Sequence, residues 1–158
     1  RKEAGRRGVS ANRLVFARRM TLPDHLARHR SADLFLDTLP YNAHTTASDA
    51  LWTGLPVLTC TGEAFASRVA ASLLFAVGLP ELVTNTPAEF EALAIALATD
   101  RARLDEVRAR LQASRPTAPL FDTPRFARHI EAAYAAMHER HVAGLPPDHI
   151  VVPRALHD

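Results

Sequence analysis

From Asn42 to Leu58 the chain reads NAHTTASDALWTGLPVL, and its opening polar residues hold the densest chemistry in the sequence. His44, Thr45 and Thr46 stand where an apolar helical pattern begins, with Asp49 about one turn further on. The first amides of a helix have no intrahelical acceptor and carry partial positive charge. Two threonine hydroxyls and an imidazole N–H beside them make a good seat for a phosphate or diphosphate. Asp49 adds an acceptor placed to take a ribose hydroxyl. Together these residues suit a nucleoside diphosphate held without a Walker-type glycine loop. They also permit a plainer arrangement, in which Thr45 or Thr46 caps the helix and His44 is a polar loop residue. Local chemistry alone leaves both open.

The elements that must position them follow from the pattern around them. RLVFAR (Arg13 to Arg18) has the short apolar centre of a buried strand, and LPDHLARHR (Leu22 to Arg30) reads as a helix with proline in its first turn. DLFLDT (Asp33 to Thr38) is a second strand, with Asp33 and Asp37 expected at edge and loop bonds. A helix over Thr45 to Thr53 closes on Gly54, Pro56 prevents its continuation, and Val57 to Cys60 form a third strand. Ala66 to Val77 is an Ala/Leu-rich helix, and Glu81 to Thr84 a short fourth strand. Thr86-Pro87-Ala88-Glu89 is a capping box that opens a helix to about Ala98. Asp100 caps another, with Glu/Arg spacing that suits an exposed face. Thr123-Pro124 begins a long helix to His141, and a Pro-rich tail follows Gly144.

This β-α alternation, with strands apolar throughout, predicts an α/β fold: a Rossmann-like parallel sheet with helices on both faces. The knot of polar residues then lies beyond the carboxyl end of a strand, where open α/β sheets bind ligands. No GxGxxG fingerprint opens the sheet, so a first β-α unit is expected to precede residue 1. The domain reading is a disordered or linker end over 1–12, a partial nucleotide-binding lobe over 13–142 with its terminal helix at 123–141, and a tail over 143–158.

Composition narrows the function classes. The chain has 158 residues, 47% of them hydrophobic and 23% charged, which fits one globular domain with a real core. Formal net charge is +2, Lys2 is the only lysine, and acids alternate with arginines, so a nucleic-acid partner is not expected. The basic run RKEAGRRG at the start reads as a frayed end. Cys60 is alone, which excludes a disulfide framework and a CxxC metal knuckle. No apolar stretch approaches the roughly 18 residues of a membrane span. A cytoplasmic protein with no membrane partner is expected.

DALWTGLPVL resembles the helix-Gly-x-Pro-strand segment of GT-B glycosyltransferases. The longer stretch LDTLPYNAHTTASDALWTGLPVLTCTGEAFASRVAASLL is similar to the C-terminal catalytic lobe of the O-GlcNAc transferase family, in its bacterial homologues. The similarity continues through SRPTAPLFDTPRFARHIEAAY and PPDHIVVP, and so runs from Arg13 onward. It implies the C-terminal lobe of a GT-B enzyme that transfers GlcNAc from UDP-GlcNAc, with inversion, to Ser or Thr of a protein. It further implies that His44, Thr45, Thr46 and Asp49 bind the nucleotide sugar, with the threonines and the helix N-terminus at the diphosphate and Asp49 at the ribose. His25 would pack on the uracil, with Arg28 as the matching basic residue and backbone around Met20 reading the base edge.

Leu22 stands where relatives can carry a lysine, so a side-chain ribose contact from that position is absent. The resemblance puts the phosphate-binding lysine, the candidate general base, the acceptor lobe and the tetratricopeptide repeats upstream of this chain; catalytic residues within it stay unassigned. No DxD motif is present, and neither a metal nor another cofactor is expected. Relatives using GDP-fucose or UDP-glucose share nearly the same scaffold, and a non-catalytic scaffold with a retained nucleotide lobe is the rival from another class. Outside the resemblance, His25 and His29 read as a surface i,i+4 pair, since the glutamate of HExxH is missing. His138 and His141 suit a helix C-terminus, and Trp52 reads as a packing residue against the sheet.

Overall fold

Three short parallel strands set the frame in a computed structural model that describes residues 1–153. Positions 154–158, the end of the expected tail, lie outside the described residues. The sheet order is β1 (Phe35–Leu36), β2 (Val57–Cys60), β3 (Val83–Thr84), with Phe35 opposite Val57 and Thr59 opposite Val83. Every residue of β2 is buried. Successive strand side chains point to opposite faces, so both faces of the central strand are covered. Helices α3 (Thr45–Thr53), α4 (Val69–Ala76) and α5 (Pro87–Thr99) all pack against it.

The sheet is smaller than the sequence pattern predicts. No strand forms at Arg13–Arg18: after a 3-10 turn at Ala11–Arg13 the chain makes no ladder bonds, and Val15 and Phe16 are 89% and 67% exposed. An apolar run becomes a strand only where a neighbour accepts its N–H and C=O groups, and neither edge of this sheet pairs with it. The expected strand at Glu81–Thr84 shrinks to Val83–Thr84, because Pro80–Leu82 turn as a 3-10 helix. Residues 1–12, read as a disordered or linker end, carry a one-turn helix, α1 (Lys2–Arg6), with no buried residue.

The helices follow their local signals closely. Thr21 caps α2 (Leu22–Arg28), Thr86 and Glu89 form the full capping box of α5, Asp100 caps α6 (Arg101–Ser114), and Asp122 caps α7 (Thr123–Val142). Gly54 ends α3 at φ 86°, a left-handed conformation that costs other residues a steric penalty. The core gathers Leu51, Leu74, Leu79, Leu97 and Leu111, each almost fully buried. Burial of one such side chain stabilises the fold by about 1.5–3 kcal/mol.

Two features of this packing aim the polar knot. On α3 the buried positions are Ala47, Ala50 and Leu51, an i, i+3, i+4 stripe that fixes the rotation of the helix. The stripe turns Asp49 away from the core, and α3 packs on α2. From the other side, Asp33 pairs with Arg101 at 3.2 Å and Arg108 at 3.1 Å, and Arg108 donates to the Ala32 carbonyl. That ties α6 to the segment entering β1. Helix α7 is different: it has no buried residue, and Phe126 and Tyr134 stand exposed.

Candidate nucleotide-binding site

The loop from β1 to α3 is held by a buried carboxylate. Asp37 is 6% exposed; its Oδ1 accepts from the Thr38 and Ala43 amides, both at 2.7 Å, and its Oδ2 from the Thr59 hydroxyl at 2.6 Å. A carboxylate with three donors is well compensated for its burial. Asn42 adds a second staple: its Nδ2 donates to the Thr38 and Cys60 carbonyls, and its amide to the Ala66 carbonyl at 2.9 Å.

That scaffold delivers His44 as the N-cap residue of α3, and no side chain caps the helix. The first intrahelical bond runs from the Ser48 amide to the His44 carbonyl at 3.1 Å, so the amides of Thr45, Thr46 and Ala47 precede the helical ladder. Thr45 and Thr46 are exposed, and their hydroxyls bond to nothing among the described residues. The plainer arrangement, in which one of these threonines caps the helix, is not what forms. The result is an open helix start with partial positive charge, flanked by two free hydroxyls.

The His44 imidazole is partly committed. It stacks on Tyr41 with centroids 5.0 Å apart, meets Phe65 edge-on at 6.2 Å, and brings Nε2 within 3.4 Å of the Ala66 carbonyl. A carbonyl only accepts, so this bond places the proton on Nε2 and leaves Nδ1 as the free nitrogen. A second donated hydrogen bond, toward an anion, then requires the imidazolium form or release of Ala66. Tyr41 and Phe65 were not legible as neighbours of His44; the only signal was their aromatic character in polar loops.

One turn along α3, Asp49 meets α2. Its Oδ2 lies 4.0 Å from His25 Nε2, and the two side chains are 27% and 23% exposed. His25 in turn meets His29 at 4.8 Å between ring centroids, with the planes at 68°. His29, expected on the surface, is half-buried, and its Nδ1 is buried without a hydrogen-bond partner. Burial, together with His25 and Arg28 nearby, holds its pKa below the ordinary histidine value of 6.5, with Asp49 acting in the opposite sense. Arg28 points back along the chain and donates to the Arg18 carbonyl at 3.3 Å, which ties down the loop carrying Met20. Met20 itself is 49% exposed at the approach to α2.

The fold therefore brings His25 and Asp49 into one cluster, one helical turn from Thr45 and Thr46, with Arg28 beside it and Met20 exposed on the approach to α2. Trp52 lies outside it and does not pack on the sheet as its sequence context suggests. It is 50% exposed, edge-on to Phe121 at 5.1 Å and covered by the Arg115 guanidinium at 5.4 Å. The buried stripe of α3 leaves no room for an indole on the sheet side, so the ring turns outward. Among the described residues, no group of three His, Cys, Asp or Glu side chains is placed to hold a metal ion, and no helix is long and apolar enough to cross a membrane.

Comparison with known proteins is consistent with this geometry. The model of glycosyl transferase family 41 matches residues 1–130. The UDP-N-acetylglucosamine–peptide N-acetylglucosaminyltransferase of Caenorhabditis elegans is 40% identical over 150 residues, covering 95% of this chain and 13% of that protein. The SEC protein of Arabidopsis thaliana is 38% identical over 153 residues, covering 96% of this chain and 16% of its own length. Among solved structures, a mutant O-GlcNAc transferase of Thermobaculum terrenum superposes with a TM-score of 0.81 at 36% identity, over 86% of this chain and 26% of that one. The chain thus spans a small part of the proteins it matches.

Proposed function

The chain belongs to glycosyl transferase family 41, and on that premise we propose that it forms the donor-binding part of a protein O-glycosyltransferase that uses UDP-GlcNAc. The observation that carries the proposal is the open, uncapped start of α3, with its free threonine hydroxyls one turn from the His25–Asp49 cluster. In this reading the Thr45, Thr46 and Ala47 amides and both hydroxyls hold the diphosphate. Asp49 accepts from a ribose hydroxyl, and His25 offers its ring to the uracil.

A Ser or Thr hydroxyl of the acceptor protein attacks the anomeric carbon from the face opposite UDP. The C–O bond to UDP breaks, its electron pair stays on the diphosphate, and the sugar is inverted. The hydroxyl proton passes to a general base supplied by the longer polypeptide. The negative charge growing on the departing diphosphate is met by fixed donors already aimed at it, which need no reorganisation during the reaction. In this reading the helix start, its hydroxyls and a lysine of the longer polypeptide supply the positive field, and no step draws on a metal or other cofactor. The exposed apolar residues of α7, Phe126 and Tyr134 among them, would pack against the remainder of the enzyme.

Calorimetric titration of the full-length protein with UDP, beside labelled-sugar transfer from UDP-GlcNAc to protein, tests the proposal. Saturable UDP binding that falls on Asp49→Ala is expected. Unaltered UDP binding in that variant would remove the site from this helix start.

A further inference from the structure

We infer that His29 is a positioning residue for the donor's base: it holds the His25 ring in the orientation that the proposed uracil contact requires. The inference rests on the donor-site reading above and extends it to a residue that the reading does not use.

Three observations converge on His29. Its ring meets that of His25 at 4.8 Å and 68°, a near-perpendicular aromatic contact. Such a contact restricts rotation of both rings while leaving part of the His25 surface free. His25 Nε2 also lies 4.0 Å from the Asp49 carboxylate, so the orientation of one imidazole bears on both the base and the ribose ends of the proposed nucleoside site. Finally, His29 Nδ1 is buried and has no protein partner, an unfavourable placement for a ring with no packing role. A solvated surface histidine would turn that nitrogen to water.

The charge state of His29 fits the same role. His25 and Arg28 face it from α2 and Asp49 from α3, while Arg30, Arg108 and Gln112 line the hollow of about 210 Å³ on its other side. Its own burial first, and then His25 and Arg28, hold its pKa below the ordinary histidine value, so the ring stays neutral at neutral pH. A neutral His29 neither repels His25 nor competes with it for Asp49. It acts through contact, and its contribution should survive replacement by another flat ring.

The test compares uridine, UDP and inorganic diphosphate as probes in calorimetry on the full-length protein, with thermal melts alongside. His29→Ala should weaken uridine and UDP by about two- to tenfold, the range for loss of one aromatic contact, and leave diphosphate unchanged. His29→Phe should restore the affinity to near that of the unaltered protein, and His29→Gln, polar but without a ring, should not. Where His29→Ala fails to fold, the Phe and Gln variants decide by the same contrast. Unchanged uridine affinity in His29→Ala, or equal affinity of the Phe and Gln variants, overturns the inference. So does an equal loss for diphosphate, which marks general damage to the lobe. His25→Ala separates the two levels of the argument: if it leaves uridine binding intact, the donor-site reading of His25 falls, and the role of His29 falls with it.

Discussion

Two helix starts in this lobe begin with threonine and end in opposite conditions. At α5, Thr86 accepts from the Glu89 amide at 3.2 Å, and the Glu89 carboxylate reaches back to the Asn85 and Thr86 amides. That start is closed on itself. At α3, Thr45 and Thr46 come one and two residues too late to cap, the cap position is His44, and its ring is drawn aside to Tyr41 and Ala66. That start stays open. Helix α4 also lacks a side-chain cap, but its first turn is buried at Ala70 and Ala71. Leaving an exposed helix start without a cap gives up about 0.5–2 kcal/mol of stability. The buried staples Asp37 and Asn42 hold the α3 loop in place without it, so the free donors remain available. Closing α5 serves the fold; in the function proposed above, the open start of α3 serves the donor.

The largest expected effect is at the acceptor end of the open site. Asp49→Ala in the full-length protein should weaken UDP by five- to more than a hundredfold, the consequence of losing a hydrogen-bonded polar partner worth about 1–3 kcal/mol. Its melting temperature should hold, since the carboxylate makes no helix-internal bond. A matched fall in stability and affinity would erase the distinction between the two helix starts.

Next comes a crossed pair of variants that addresses the comparison directly. Thr45→Val with Thr46→Val removes two free hydroxyls, and UDP affinity should drop about tenfold with an unchanged melt. Thr86→Ala should do the reverse: about 1 kcal/mol less stable to denaturant, with UDP affinity intact. If the valine pair lowers stability as Thr86→Ala does, the α3 threonines are structural after all.

A smaller effect should appear with acid. Because the folded-state pKa of His29 lies below its ordinary value of 6.5, the unfolded chain takes up that proton first as pH falls. The stability contributed by a neutral His29 is therefore present above about pH 6.5 and is lost as pH drops below it. Melts at pH 7.5 and 5.5 should show a larger acid loss in the unaltered protein than in His29→Phe. Equal losses would place the acid sensitivity elsewhere.

The smallest effect expected is none at all. If fixed helix dipoles and hydroxyls neutralise the diphosphate, sugar transfer by the full-length enzyme should be insensitive to EDTA. Asp37, near the site, is buried and already accepts from three donors, and among the described residues no group of three His, Cys, Asp or Glu side chains is placed to hold a cation. Activity lost on chelation and regained with Mg²⁺ or Mn²⁺ would end the comparison, because the open helix start would then be only part of a metal site.

Much of this lobe was legible before any coordinates. The span of α3 from Thr45 to Thr53, its glycine stop and the capping box of α5 follow from residues within a few positions of one another, and the parallel β-α order from the alternation of such segments along the chain. Capping, left-handed φ and apolar stripes are local physics, and local physics can be read along a chain. Three features could not be. RLVFAR has strand composition, but a strand exists only with a partner, and pairing depends on what lies beside it. Trp52 faces outward because Ala47, Ala50 and Leu51 already occupy the inner face of α3, and its neighbours Arg115 and Phe121 arrive from more than sixty residues away. His44 and His29 carry the same side chain; one is turned onto Ala66 by packing between separate elements, and the other, beside His25 as its i,i+4 spacing implies, is half-buried rather than on the surface. The sequence determined which groups are available at the start of α3. Which of them stay free for a ligand was decided only by the tertiary structure, because that depends on contacts between residues far apart in the chain.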